Sequence, residues 1–230
     1  MQLFLFDVDG TLLRANGGGK IAIEHAVSAV TGETVSTVGV PFSGRTDPAI
    51  FRDVLRANGL PDDDHLVREI LRVYIDAAQD TIRSGNVEKL PGVEKLLSLL
   101  ARRSDAFLGL VTGNVESIAY HKLRTVGLAD YFSVGAFGSD HANRDHLPGL
   151  ASNRAAEMSD DSFSPDQTVV VGDTSRDVQC ARAAGAHAVV VCTGRADQPD
   201  LAGTAPDLLL EDFSDPESAV DQIVNICPQT

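Results

Sequence analysis

The sequence predicts a doubly wound α/β fold, a parallel sheet with helices on both faces, carrying a small all-helical insert. Three observations point there. Short, wholly apolar runs end in polar residues, the pattern of strands buried on both faces of a parallel sheet. Amphipathic helical stretches alternate with those runs. One long segment near the N-terminus breaks the alternation, with helical periodicity and no strand-like run.

In chain order, the apolar run at residues 3–6 closes at Asp7, and that at 107–111 closes at Thr112. The runs at 134–137, 169–171 and 188–191 end near Asp140, at Gly172-Asp173 and at Cys192-Thr193. A further run at 208–210 precedes Glu211-Asp212. Helical stretches at 93–103, 115–126, 150–158, 175–184 and 216–226 separate or follow them, and right-handed crossovers follow by default. The exceptional segment carries helical patterns at 21–30, 48–58 and 66–83. Breakers border it, Gly17-Gly18-Gly19 at the entry and Ser84-Gly85-Asn86 with Pro91-Gly92 at the exit, where a hinge is expected. The expected division is a catalytic core of residues 1–14 and 87–230 with a helical cap of residues 15–86.

A chain of 230 residues, 43% hydrophobic and 23% charged, has the composition of a packed enzyme-sized domain and excludes wholesale disorder. Nineteen Lys and Arg against 33 Asp and Glu leave a net charge of −14, which repels a polyphosphate backbone, so no nucleic acid partner is expected. An anionic small ligand then binds only where a divalent cation, arginines or helix N-termini reverse the local sign. The three cysteines are odd in number and lack CxxC spacing, which fits a reducing cytoplasm rather than a disulfide framework. No apolar run approaches the roughly 18 residues of a membrane span, and the N-terminus lacks a basic leader, so a soluble cytoplasmic protein is expected.

Ligands of a parallel α/β sheet sit outside the carboxyl ends of its strands. The residues closing the runs should therefore share one pocket: Asp7 and Asp9, then Thr112 with Gly113 and Asn114, then Asp173 and Asp177. An aspartate after a strand ordinarily caps the next helix. Four aspartates gathered at one edge are a different matter, because they repel one another and raise each other's pKa. A hard divalent cation such as Mg²⁺, with oxygen ligands from carboxylates and a substrate phosphate, resolves that repulsion.

The opening Phe6-Asp7-Val8-Asp9-Gly10-Thr11-Leu12, taken with Gly172-Asp173-Thr174 and Asp177, resembles the motifs of the haloacid dehalogenase-like superfamily. The resemblance spans nearly the whole chain and is closest in kind to phosphatases with a small helical cap, such as phosphoglycolate phosphatases. It implies an Mg²⁺-dependent phosphatase acting on a small phosphorylated metabolite. Asp7 would be the nucleophile that forms an aspartyl-phosphate and a metal ligand. Asp9 would be the general acid/base, its backbone carbonyl also on the metal, and Asp173 the third protein ligand. Asp177 would act from outside through water. Thr112, Gly113 and Asn114 would hold the phosphoryl oxygens. Independently, a carboxylate can attack phosphorus and split one hard displacement into two easier ones. Asp at position 9 disfavours dehalogenation, which expels halide without a proton donor.

The sequence departs from the family at its lysine, which normally neutralises the nucleophile and the phosphate. The chain has only Lys20, Lys89, Lys95 and Lys122, with none between Lys122 and Asp173, so an arginine is expected in that place. Arg144 lies in the right connection, with Arg154 and Arg176 as competitors. In the cap, Ser43-Gly44-Arg45-Thr46-Asp47 resembles a phrase of phosphoglycolate-phosphatase-like caps; Arg45, and more weakly Lys20, would bind a second anionic group. The alternative is that Thr46 or Asp47 caps a helix and Arg45 is solvated. His141 and His146 lack paired ligands for zinc, and Cys180 and Cys192 read as small buried groups. A sugar phosphomutase of the β-phosphoglucomutase kind shares every core residue, and a non-enzymatic phospho-receiver shares some. A monomer or homodimer is expected.

Overall fold

The structure, a computed structural model, describes residues 1–16, 18–83, 86–194 and 201–227; of the expected hinge residues, Gly17, Ser84 and Gly85 lie outside the described residues. The chain runs through β1 (Gln2–Phe6) and β2 (Leu13–Ala15) into helices α1 (Gly19–Thr31), α2 (Asp47–Ala57) and α3 (Asp64–Arg83). It returns through β3 (Val87–Lys89) to α4 (Val93–Ala101), β4 (Ala106–Thr112), α5 (Glu116–Thr125), β5 (Val134–Phe137) and α6 (Leu147–Ser159). β6 (Thr168–Gly172), α7 (Ser175–Ala183), β7 (His187–Val191), β8 (Leu208–Leu210) and α8 (Pro216–Val224) complete it. Six strands pair in parallel in the order β5-β4-β1-β6-β7-β8, the doubly wound, Rossmann-like α/β arrangement read from the sequence.

Alternation within β1 shows why its run is apolar throughout. Phe4 and Phe6 enter one layer with Leu96, Leu97 and Leu100 of α4 and Ile223 of α8. Leu3 and Leu5 enter the opposite layer with Leu147 and Ala151 of α6 and Val178 of α7. Each such side chain fully buried contributes roughly 1.5–3 kcal/mol, so the strand that ends at Asp7 is fixed from both sides. Helices α1 to α3 make a third cluster of their own, where Phe51 meets Tyr74 edge-on at 5.1 Å. Val115 and Ile118, at the start of α5, belong to that third cluster.

Two features differ from the expectation. β2 and β3 pair antiparallel across the two ends of the helical segment, with Leu13 opposite Lys89 and Ala15 opposite Val87. Leu-Arg-Ala and Val-Glu-Lys carry no apolar run, and only the long-range pairing makes them strands. α6 begins at Leu147 rather than at 150, because a 3₁₀ turn over Arg144–His146 leads into it and Pro148 suits a first helical turn.

The loop before α2 fastens the helical segment to the sheet edge. Thr46 is the N-cap of α2, its hydroxyl oxygen accepting from the Ala49 N–H at 3.4 Å and donating to the Ala142 carbonyl at 2.7 Å. The Asp47 N–H donates to the Gly113 carbonyl at 2.8 Å, and the Asp47 carboxylate accepts from the Val115 N–H at the head of α5 at 2.9 Å. A Cβ on Gly113 would collide with the Arg45 carbonyl, so this approach requires glycine. Burial pushes the Asp47 carboxyl up from 3.8 to about 6, against the pull of Lys122 and the Val115 N–H.

An acid whose pKa is raised on folding keeps its proton in the native state between about pH 4 and 6 while the unfolded chain releases it, so its contribution to stability falls as pH rises through that window. Asp47→Asn keeps an acceptor for Val115 and removes the charge. It is expected to be more stable than the parent at pH 7.5, by up to about 3 kcal/mol, with the gain fading near pH 4. Urea unfolding of both proteins at the two pH values checks this. Destabilisation at pH 7.5 would show that Lys122 and the α5 N-terminus hold the charge favourably.

Candidate active site

The carboxyl edge of the sheet collects the predicted residues. The Asp7 N–H still donates to Val171 at 2.9 Å, extending the ladder one residue past β1, and the chain then turns sharply. Gly10 sits at φ +88°, and any Cβ there would run into the Asp173 carboxylate. Thr112 ends β4 and Asp173 follows β6, so three neighbouring strands deliver Thr112, Asp7 and Asp173 side by side.

Carboxylate oxygens of Asp7, Asp173 and Asp177 lie within 4.8 Å of one another, all buried. Burial pushes Asp7 up from 3.8 to about 6, with Arg144 opposing. Asp173 is driven well above the usual carboxylate range, first by burial and then by Asp177 and Asp7. The opposing charge is Arg144, only 6% exposed: its Nη2 stands 3.2 Å from Asp7 and forms an ion pair with Asp177. Burial alone would lower the Arg144 pKa, yet Asp177 and Asp7 hold it well above its ordinary value. Three crowded carboxylates and one guanidinium leave a shortage of positive charge, and a set of hard oxygen donors fits a divalent cation such as Mg²⁺.

Both oxygens of Asp177 have protein partners. One oxygen pairs with Arg144; the other accepts from the Thr174 N–H at 2.9 Å and hydroxyl at 2.6 Å, closing the capping box of α7. The competing arginines are elsewhere. Arg154 forks onto Asp140 at 2.7 and 2.8 Å, and the exposed Arg176 donates to Gln179 at 2.9 Å.

Asp9 faces a different partner set. Its carboxylate accepts from Lys122 Nζ at 2.6 Å and from Asn114 Nδ2 at 2.7 Å, while Lys122 also donates to Asn114 Oδ1 at 2.7 Å. The Thr112 hydroxyl oxygen accepts from the Asn114 N–H at 3.3 Å and side-chain amide at 2.9 Å. Lys122 is the site residue that sequence reasoning missed. It lies one turn beyond Ile118 on α5, and because helical side chains lean toward the N-terminus it reaches back over the head of the helix, a signal that helix geometry alone carries.

Both cap cations are engaged. Arg45 is ion-paired with Asp53, leaving its buried Nε without a partner, and Lys20 lies over the Phe42 ring, 5.0 Å from the centroid. Together with Asp7, Asp9, Thr112 and Asp173 they line a cavity of about 380 Å³ between α1–α3 and the sheet edge. His141 and His146 pack ring to ring at 4.1 Å, and burial pushes the Cys180 thiol up to about 12.

The sequence profile of the haloacid dehalogenase-like hydrolases matches residues 4–191. A phosphoglycolate phosphatase of Synechococcus elongatus is 29% identical over 233 residues, covering 97% of this chain and 99% of that protein. One from Salmonella typhimurium is 30% identical over 230 residues, covering 91% and 88%. A hydrolase from Pseudomonas syringae superposes with a TM-score of 0.71 at 20% identity, over 97% of this chain and 99% of its own, a likeness of fold. With that profile spanning most of the chain and a parallel sheet bringing Asp7, Thr112 and Asp173 to one edge, the chain belongs to the haloacid dehalogenase-like hydrolase family.

Proposed function

We propose that the chain is an Mg²⁺-dependent phosphatase that hydrolyses a small phosphomonoester through an aspartyl-phosphate on Asp7. The observation that carries this is the placement of two aspartates with unlike partners at one cavity: Asp7 beside a buried guanidinium, Asp9 beside a lysine and an amide. The relatives named phosphoglycolate phosphatases support the reaction class and make a phosphoglycolate-like ester one substrate to test. In this reading residues 15–86 act as a cap that excludes water above a core of residues 1–14 and 87–230. The protein works in the cytoplasm, as a monomer or homodimer; among the described residues no helix is long and apolar enough to cross a membrane.

Asp7 must be ionised to attack, and Arg144 at 3.2 Å offsets the burial that opposes ionisation. With Asp9 entering the step in its protonated form, an Asp7 oxygen bonds to phosphorus as the ester oxygen departs with its electron pair and takes the Asp9 proton. Asp9 then removes a proton from the water that attacks the phosphoryl group, releasing phosphate and restoring Asp7. Lys122 and Asn114 fix the Asp9 carboxyl for both transfers. Thr112 and the amides after it, at the head of α5, hold the phosphoryl oxygens. Asp7, Asp173 and the Asp9 carbonyl would hold Mg²⁺, which would supply positive charge for those oxygens. Asp177 positions Arg144 and is not a ligand.

Phosphate release from an activated aryl phosphate is expected with Mg²⁺, to vanish with EDTA, and to fall by about three orders of magnitude or more in Asp7→Asn. Normal turnover in that variant would end the covalent mechanism, and a requirement for a sugar bisphosphate would indicate a phosphomutase. Asp9→Asn is expected to form the phosphoenzyme but hydrolyse it slowly, seen as a burst of aryl alcohol near one equivalent; equal retention of both steps would refute the acid/base role.

Arg144→Ala leaves Asp7 and Asp177 as uncompensated buried charges. It is expected to lose about 3–5 kcal/mol of unfolding free energy at pH 7 and most of its kcat/KM, with Arg144→Lys recovering part of each. An unchanged kcat/KM in a folded Arg144→Ala would remove the arginine from the mechanism.

A further inference from the structure

One oxygen of Asp173 sits against two glycine backbones at once. A Cβ on Gly10 and a Cβ on Gly194 would both collide with the same atom, Asp173 Oδ2. The other oxygen accepts from the Thr11 hydroxyl at 3.4 Å. Gly10 belongs to the turn after β1, which closes on itself through the Gly10 N–H to the Leu13 carbonyl at 2.8 Å and the Leu13 N–H to the Val8 carbonyl at 3.1 Å. Gly194 lies just past the end of β7. The Thr193 hydroxyl joins the two backbones, donating to the Gly10 carbonyl at 2.6 Å. The Thr193 main chain is itself braced: its carbonyl accepts from Arg14 Nη2 of β2 at 3.1 Å, and the Cys192 N–H before it donates to the Leu210 carbonyl of β8 at 2.9 Å.

Given the reading that Asp7, Asp173 and the Asp9 carbonyl would hold Mg²⁺, on which this rests, we propose that Thr193 is a positioning residue of the metal site, acting through the Gly10 carbonyl. Gly10 stands between that carbonyl and the Asp9 carbonyl, in the left-handed region at φ +88°. Fixing one side of Gly10 therefore steadies the peptide that presents the Asp9 oxygen. The same bond sets the spacing of the two backbones that touch Asp173 Oδ2. Without it the turn and the end of β7 are free to part, and two ligands lose their bearing together. Mg²⁺ demands near-ideal octahedral geometry, so loosened ligands weaken its binding. Groups that orient ligands without touching the metal are typically worth about 10- to 100-fold in affinity.

Mn²⁺ takes the same hard oxygen ligands, and its free-ion paramagnetic resonance signal reports binding to the whole chain without turnover. The site is defined as the binding lost in Asp173→Asn. Thr193→Val removes the hydroxyl at nearly constant volume, Thr193→Ala removes it with a smaller side chain, and Thr193→Ser keeps it. The dissociation constant for Mn²⁺ is expected to rise about tenfold or more in Thr193→Val and Thr193→Ala and to stay near the parent's in Thr193→Ser. Thr168→Val deletes a comparable bond, to the Ser164 carbonyl at 2.9 Å, at the opposite end of β6 and is expected to leave the constant unchanged. Phosphate release by Thr193→Val is expected to need correspondingly more Mg²⁺, with kcat at saturating Mg²⁺ close to the parent's.

Equal Mn²⁺ affinity in the parent and Thr193→Val, a Thr193→Ser variant as weak as Thr193→Val, or an equal loss in Thr168→Val would overturn the role. The outcome is separable from the hydrolase reading. A parent that binds Mn²⁺ and releases phosphate, with Thr193→Val binding equally well, keeps the reaction and loses the positioning residue. A parent that binds no Mn²⁺ removes the metal site and the role of Thr193 together.

Discussion

The sheet edge depends on one buried guanidinium. Asp7, Asp173 and Asp177 crowd within 4.8 Å in a site nearly closed to water, where ionised carboxylates are costly without opposite charge. Arg144 supplies that charge from the 3₁₀ turn before α6, and its Nη2 lies against two of the three acids, 3.2 Å from Asp7 and ion-paired with Asp177. Asp177 in turn caps α7, so the start of a helix, the direction of the arginine and the ionisation of Asp7 are tied through one carboxylate.

A separate cation serves Asp9. Lys122 and Asn114 form a closed triangle with its carboxylate, on the α5 side of the cavity. The chain is strongly acidic as a whole, yet it puts an arginine and a lysine on opposite flanks of one small pocket. Local sign is therefore set by side chains that the net charge hides, and a divalent cation would add to it rather than create it.

The fold was legible because β1, β4 and β6 are buried on both faces, which leaves their sequences uninterrupted and their polar termini conspicuous. The aspartates were legible for the same reason: they close those runs. What the sequence hid depended on pairing at a distance. β2 and β3 are strands only through each other, 74 residues apart at Leu13 and Val87 by their first positions. Lys122 reaches Asp9 across 113 residues, and passing over it followed from seeking the cation only between Lys122 and Asp173. Arg45 looked free because its partner, Asp53, lies eight residues on, on α2, where no local pattern announces the pair.

The segment that carries Thr112, Gly113 and Asn114 is also the one that the helical insert grips. Val115 and Ile118 pack in the insert's own cluster, while Asp47 bonds Gly113 and Val115, and Thr46 bonds Ala142. Each hydrogen bond contributes about 1 kcal/mol net, so these three resist separation modestly, and parting the apolar contacts adds to that. An insert that rose as a rigid body would expose Val115 and Ile118 or pull on the head of α5, and so disturb the amides beside Thr112. In the phosphatase reading, opening of the insert and phosphate grip would then be a single coupled coordinate. The β2–β3 ribbon, whose strands join the insert to the sheet on both sides, would carry any such bend.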